Sequence, residues 1–280
     1  MSEIAGRVAF ITGGASGLGL AMARSFLARG ARVMLADRDE EGLERAVAEL
    51  SKDSNEIASV VCDVADVEQV KAAAQATIDH FGKVHIVANN AGVGKGGQPG
   101  EIPIEDWRWV VDINLLGVVY GVEVFAPLIQ SHGEGGHFIN TASMAGHVAP
   151  GGMGPYNATK YAVVGYSEGL KAELQPHNIG VSVLCPGWVN TNIHTTGFGA
   201  PSSEITAEDA KDDPQFQMMN EVIRGGLDAD KVADWVAECV ESDRLYIFTH
   251  KTMKIGIDMK YAQIQADYDA IIEDGRFGDA

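Results

Sequence analysis

Residues 7–37 read RVAFITGGASGLGLAMARSFLARGARVMLAD. The stretch opens on β-branched and apolar residues with no polar alternation, as a strand buried on both faces does. Glycines then occupy positions 13, 14, 17 and 19, where the chain must turn sharply and let another group approach its backbone. Residues 18–29 carry apolar side chains at helical spacing, and a second apolar run follows from Arg32 to Ala36 and stops at Asp37. Strand, glycine turn, helix and strand in this order form one βαβ unit, whose crossover is right-handed.

The same alternation continues along the chain. Apolar, β-branched runs recur at 57–62, 84–89, 137–142, 180–185 and 245–248. Between them, helical periodicity appears at 41–50, 67–81, about 106–132 and about 156–175. Strands alternating with helices predict an α/β fold: a doubly wound, Rossmann-like parallel sheet of about seven strands, flanked by helices on both faces. No linker, repeat or low-complexity tract divides residues 1–280, so one domain is expected. Residues 190–226 are polar, irregular and far longer than an ordinary connection, which predicts a lid over a binding site.

A chain of 280 residues with 46% hydrophobic and 21% charged residues has an ordinary globular composition. Its formal net charge of -18 argues against nucleic acid and against anionic membrane surfaces as partners. Cys62, Cys185 and Cys239 are widely separated, with no CxxC or Cys/His spacing, so no metal site is expected. The apolar run at 8–12 is too short for a signal peptide, and no stretch looks long enough to span a membrane. A cytoplasmic protein is the expectation.

The glycine turn feeds a helix whose N-terminal amides and dipole make an anion site. Its glycines do not complete GxGxxG, because Met22 stands at the last position; the pattern present is TGxxxGxG. Asp37 ends the second strand, placed to accept hydrogen bonds from both hydroxyls of an adenosine ribose. A carboxylate there repels a 2′-phosphate, which favours NAD over NADP, although Arg38 adjoins it as a potential phosphate ligand. Asp63 follows the third strand and suits either an adenine amino group or a helix cap. Asn89-Asn90-Ala91-Gly92 closes the fourth, at the edge where open α/β sheets bind ligands. Tyr156 and Lys160 lie four positions apart, on one helix face, a spacing that fits a surface pair as well as a reactive one. Tyr161 and Tyr166 have no lysine four residues later.

Taken in order, TGxxxGxG, NNAG at 89–92, Asn114 in DINLLG, Ser143, Tyr156-x-x-x-Lys160 and PGWVNT at 186–191 resemble the short-chain dehydrogenase/reductase family, in its short single-domain subgroup. The resemblance implies a catalytic set of Asn114, Ser143, Tyr156 and Lys160. It also implies that Gly13, Ser16, Gly17, Leu18, Gly19, Asp37, Asp63, Val64 and Asn90 contact the cofactor, with Pro186, Gly187, Val189 and Thr191 at the nicotinamide carboxamide. Tyr156 and Lys160 are shared between the two sets. Tyr156 would act as general acid/base while hydride moves, Ser143 would bind the substrate oxygen, and Asn114 would hold a water. A free phenol titrates near pH 10, and lowering it by about 3 units corresponds to about 4 kcal/mol of differential interaction. The Lys160 ammonium and the nicotinamide are the expected sources.

The chain departs from many members at its end, where an amphipathic helix follows the last strand in place of a Gly-Gly segment. A homodimer through the two long helices is the expectation, with a homotetramer as the alternative. Met144, His147, Met153, Trp188 and Ile193, with Phe198 and Phe216 of the lid, are candidates for an apolar pocket binding an alcohol or ketone. The LYIFTH ending and the lid resemble members that oxidise benzylic alcohols of lignin-derived aryl ethers. Sterols, cyclic alcohols and oxo-acyl thioesters stay open as substrates. A nucleotide-sensing protein without catalysis has no need of the intact Asn-Ser-Tyr-Lys set.

Overall fold

The computed structural model describes residues 3–274 and 276. Strands β1 (Val8–Thr12), β2 (Arg32–Asp37), β3 (Ile57–Val61), β4 (Ile86–Asn89), β5 (Gly136–Thr141), β6 (Ile179–Cys185) and β7 (Tyr246–Phe248) form one parallel sheet, ordered β3-β2-β1-β4-β5-β6-β7. Strand order reverses direction between β1 and β4, so their carboxyl ends part and leave a crevice there.

Why the strands read as unbroken apolar runs is visible in β1. Successive side chains point to opposite faces, and both faces are covered. Ala9 and Ile11 enter a core with Met22 and Phe26 of α1 (Gly17–Ala28) and with Ala233, Val236 and Val240 of α8 (Ala229–Glu241). Phe10 enters the opposite core, where its ring lies 4.5 Å from that of Phe125. That side is covered by α3 (Val67–Phe81), α5 (Gly117–His132) and α6 (Gly154–Leu174). The remaining helices are α2 (Glu40–Leu50), α4 (Ile104–Val111), α7 (Pro214–Arg224) and α9 (Lys254–Glu273).

Three features differ from the sequence expectation. The helix expected over about 106–132 is α4 and α5 joined by a π-helical turn, Asp112–Leu116, which gives it an extra residue in one turn. The joined run Ile104–His132 is long and apolar enough to cross a membrane, contrary to expectation; half of its most apolar window is buried inside the fold, as a core helix is. The 190–226 segment is not irregular throughout: it contains a 3₁₀ helix, Ile193–Gly199, and α7. Ile223 of α7 is 3% exposed, which gives that helix an anchoring residue.

One buried group makes stability depend on pH. His137 of β5 is fully buried and its Nε2 lies 2.8 Å from Ser182 Oγ, whose proton goes to Arg244 O (2.5 Å). Burial pulls the imidazole down from 6.5 to about 3. Between those values the unfolded chain binds the proton that the folded chain refuses, so stability falls as pH drops through that window. The slope from this one group approaches about 1.4 kcal/mol per pH unit. Replacing it by a non-titrating amide, His137→Gln, is expected to flatten the decline in urea-unfolding free energy between pH 6 and pH 4 by about 1 kcal/mol per unit. An unchanged slope would contradict the assignment.

Candidate active site

The crevice is stitched by a hydroxyl. Thr12 Oγ1, at the end of β1, donates to Ala88 O (3.3 Å) and accepts from the amides of Asn90 (2.9 Å) and Ala91 (3.0 Å). Asn90 Nδ2 returns a bond to Thr12 O (3.0 Å), and its Oδ1 lies 3.4 Å from Thr141 Oγ1. Asn90 therefore ties the ends of β1, β4 and β5. Its neighbour Asn89 points into the protein and bonds Asn140 Oδ1 (2.9 Å); Asn140 in turn bonds Ser167 Oγ on α6 (3.0 Å).

The glycine turn is shaped for close approach. Gly13 and Gly17 take positive φ, 65° and 55°, which favours glycine. Gly19 packs so tightly that a Cβ would lie 2.1 Å from Gly13 O. Ser16 is the N-cap of α1 yet its side chain makes no capping bond, and the first turn carries no acidic residue. Its leading amides are thus available to an anion, with Leu18 in the first turn. This cradle fits a dinucleotide's diphosphate. Asp37 is held in place by two amides, Ala15 N (3.1 Å) and Asp39 N (3.1 Å), a coupling between glycine loop and second strand that no local pattern reveals. Asp63 Oδ1 accepts from Ala65 N (3.0 Å), while the cap of α3 is Asp66, so Asp63 is not spent on capping. Val64 is buried with Val93, Val110 and Ile113.

The candidate catalytic residues converge on the same edge. Lys160, 3% exposed, donates to Thr141 O (2.9 Å) and stands 5.5 Å from the centre of the Tyr156 ring. Asn114 lies within the π-helical turn, its Oδ1 accepting from Val93 N (2.8 Å) and its Nδ2 donating to Val93 O (2.9 Å) and towards Thr159 Oγ1 (3.4 Å). A Cβ on Gly92 would lie 3.3 Å from Asn114 Oδ1 and 3.5 Å from Lys160 Nζ, so both side chains surround one turn of backbone. Ser143 Oγ accepts from Ala145 N (3.1 Å) and lies 3.4 Å from Pro186 O.

The electrostatics differ from the sequence argument in one respect. Burial pushes the Tyr156 phenol up, and the hydrogen bond from Ser143 only partly offsets it. Burial also pulls the Lys160 ammonium down, to about 8. The protein alone therefore does not lower the phenol, because both groups are desolvated together.

Residues 186–191, the candidate nicotinamide end, are held from behind by residues that follow β7. Gly187 N donates to His250 Nδ1 (3.2 Å), His250 Nε2 lies 3.1 Å from Trp188 O, and Met253 packs where a Gly187 side chain would stand. Pro186 O accepts from Met144 N (2.9 Å). Val189 is buried, and Thr191 packs beside Gly17. From there the lid crosses the crevice. Thr196 Oγ1 accepts from Gly94 N (2.9 Å), and Gly199 sits near Arg38. Ser202 gives two bonds to the buried Asp106, which also pairs with Lys95 (3.0 Å). Burial pushes the Asp106 carboxyl up, but Ser202 and Lys95 outweigh it and hold it below its ordinary range.

The pocket candidates separate. Met144 is buried, Met153 packs on Gly96, and Trp188 is 46% exposed. Ile193 begins the lid's 3₁₀ helix and its carbonyl accepts from Thr196 Oγ1. His147 turns its ring to Cys185 Sγ (3.3 Å) and to Phe248 and Tyr246. Phe216 of α7 packs on Phe198 and His194, rings 5.5 and 5.6 Å apart.

Residues 7–198 match the short chain dehydrogenase family, and the chain belongs to it. It is similar to 1-deoxy-11-beta-hydroxypentalenate dehydrogenase of Streptomyces exfoliatus, 36% identical over 89% of this chain and 85% of that one. It is also similar to the C alpha-dehydrogenase of Sphingobium sp. strain SYK-6, 31% identical over 94% of this chain and 87% of the other. Among solved structures, a short-chain dehydrogenase/reductase from Burkholderia phymatum in complex with NAD superposes with a TM-score of 0.88. That protein is 38% identical, and the match covers 95% of this chain and 97% of the other. The chain is thus an oxidoreductase of this family, with a nicotinamide dinucleotide site.

Gly19→Ala is expected to weaken NAD binding by at least about tenfold, since the new methyl collides with backbone. Gly165→Ala, where a Cβ meets no atom within 4 Å, should bind as the parent does. Calorimetric titration distinguishes them, and equal affinities would show that the Gly13–Gly19 contact does not shape the site.

Proposed function

We propose that the protein is an NAD-dependent oxidoreductase that interconverts a secondary alcohol and its ketone, with Tyr156 as general acid/base. The observation that carries the reading is a chain of contacts: Asn114 and Lys160 flank the Gly92 turn, Lys160 stands beside the Tyr156 ring, and Tyr156 shares a hydrogen bond with Ser143. NAD, when bound, accepts or supplies the hydride. The chain's own groups handle the proton. The Tyr156 phenolate takes a proton from the alcohol oxygen, or the phenol gives one to the ketone oxygen. Ser143 donates to that oxygen and fixes its distance from the phenol.

Lys160 is buried and donates to Thr141 O, so its charge acts through a medium of low polarity, where an ammonium favours a nearby phenolate. Because burial opposes the phenolate, the favourable charge of a bound nicotinamide is the second contribution needed. Asn114 uses one lone pair of Oδ1 and both Nδ2 protons on Val93 and Thr159, leaving the second lone pair for a water.

Tyr156→Phe is expected to lower kcat by about 10² to 10⁴ while NAD affinity changes little. Full activity in that variant would remove Tyr156 from the proposed role. The preference for NAD rests on Asp37, whose carboxylate two amides hold at the end of β2. The ratio of kcat/KM for NAD over NADP is expected above about 10, and Asp37→Ser is expected to lower it by about tenfold or more, since one charge repulsion at the ribose is removed. An excess of NADP activity in the parent enzyme would reverse the assignment.

For the substrate we favour an aryl-substituted secondary alcohol oxidised at the carbon next to the ring. The lid carries the Phe198–Phe216–His194 ring cluster, Met144 and Met153 adjoin the catalytic helix, and a C alpha-dehydrogenase is among the relatives. Following NADH absorbance across aryl, alicyclic and steroid alcohols decides this. A higher kcat/KM on alicyclic or steroid substrates would displace the aryl reading. We further propose a cytoplasmic homo-oligomer that binds neither nucleic acid nor membrane, in keeping with the net charge of -18.

A further inference from the structure

Helix α9 has no buried residue, and every residue from Tyr261 to Asp274 is exposed. Its first turns face the body: Gly256 lies against Val148, Lys260 Nζ stands 4.6 Å from the centre of the Tyr161 ring, and Tyr261 stands within electrostatic range of Tyr246. In proteins most of a helix's stability comes from packing an apolar face against another element. Such a face exists. Ile257, Tyr261, Ile264, Tyr268 and Ile271 follow one another at steps of four, three, four and three residues, the heptad spacing of a helix that packs against another helix. Tyr261 is 60% exposed and Tyr268 65%, far more than a helix seated on its own domain leaves bare.

The residues flanking that seam choose the occupant. We infer that two copies of this chain associate by packing α9 against α9 in antiparallel orientation. In the register that sets Tyr261 against the second copy's Ile264, Tyr268 meets Ile257, giving four mixed aromatic–aliphatic layers about a two-fold axis. The same register brings Lys260, just before Tyr261, beside Asp267, just before Tyr268, and the symmetry makes this pair twice. On the other flank Asp258 meets Gln265, an acceptor beside an amide donor. A parallel pair instead sets Lys260 against Gln265 and Asp267 against Ile272, with no charge satisfied. Complementarity of shape spacing and of charge thus agree in one orientation. The second half of the helix, residues 261–273, carries Asp267, Asp269 and Glu273 and no cation, so a like-charged parallel partner is further disfavoured.

Charge exchange tests this without disturbing the catalytic set. Sedimentation velocity is run on the full chain across a concentration series. Asp267→Lys places two cations side by side at both symmetry-related pairs and is expected to weaken association by about tenfold or more. Lys260→Asp is expected to weaken it similarly. The double variant, with both charges exchanged, is expected to return to within about threefold of the parent, because the pairs reform with reversed sign. Ile264→Lys, in the seam itself, should abolish this contact and lower the assembled mass by a factor of two. NAD binding measured on each variant checks that the fold is intact. Equal association in the parent and in Ile264→Lys would overturn the inference, as would a parent that stays monomeric. Failure of the double variant to recover while both singles weaken would also overturn it, pointing to a different partner for the seam.

Discussion

The Thr12 hydroxyl is the constraint on which the site rests. A parallel sheet wound in both directions opens between β1 and β4, and past their last ladder bonds nothing in the sheet itself holds the two chains together. Thr12 Oγ1 spans that opening with bonds to Ala88, Asn90 and Ala91. With both loops fixed, Gly19 can approach Gly13 on one side and the Gly92 turn can seat between Asn114 and Lys160 on the other. The glycine turn and the candidate catalytic residues are two ends of one stitched edge.

Behind that edge lies polar chemistry in a dry setting. Lys160 is buried with a single carbonyl acceptor at 2.9 Å, and its ammonium is pulled down to about 8 as a result. Burying a charge this way is costly, and the surroundings are correspondingly rigid. The Asn89–Asn140–Ser167 chain links β4, β5 and α6. It fixes the helix carrying Tyr156 and Lys160 by hydrogen bonds that are stronger for being out of water. The π-helical turn serves the same end by turning Asn114 inward onto the Val93 backbone.

The C-terminal third contributes support more than chemistry. His250 and Met253, after β7, brace the Gly187 backbone from outside the sheet, and the lid is pinned to α4 through Asp106 and Ser202. These are contacts between segments far apart in sequence. They make the 186–191 segment depend on residues that follow the last strand, and the 193–202 segment on α4.

Much of this was legible in the residues. The span 67–81 is α3 as read, and the strand positions agree within a residue or two, because a buried strand and an amphipathic helix write their periodicity locally. Asp37, the glycine turn and the Tyr156–Lys160 spacing are likewise local. What was not legible depends on partners remote in the chain. The π-helical turn is hidden within a continuous helical pattern, and α7 lies in a polar stretch and leaves Met218, Met219 and Val222 exposed, so no apolar face announces it. The coupling of Asp37 to Ala15 and the bracing of Gly187 by His250 exist only once the sheet has formed. The partners of His147, Cys185 and Phe248, likewise come from distant strands and could not be read from its place near Ser143. The sequence by itself determined the βαβ order and the family and named Tyr156 and Lys160 as the candidate pair, since local periodicity and ordered short motifs carry each. The tertiary structure alone decided how dry Lys160 is, which way the Tyr156 phenol is biased and what holds the cofactor edge closed, because burial and long-range hydrogen bonds are properties of the packed whole.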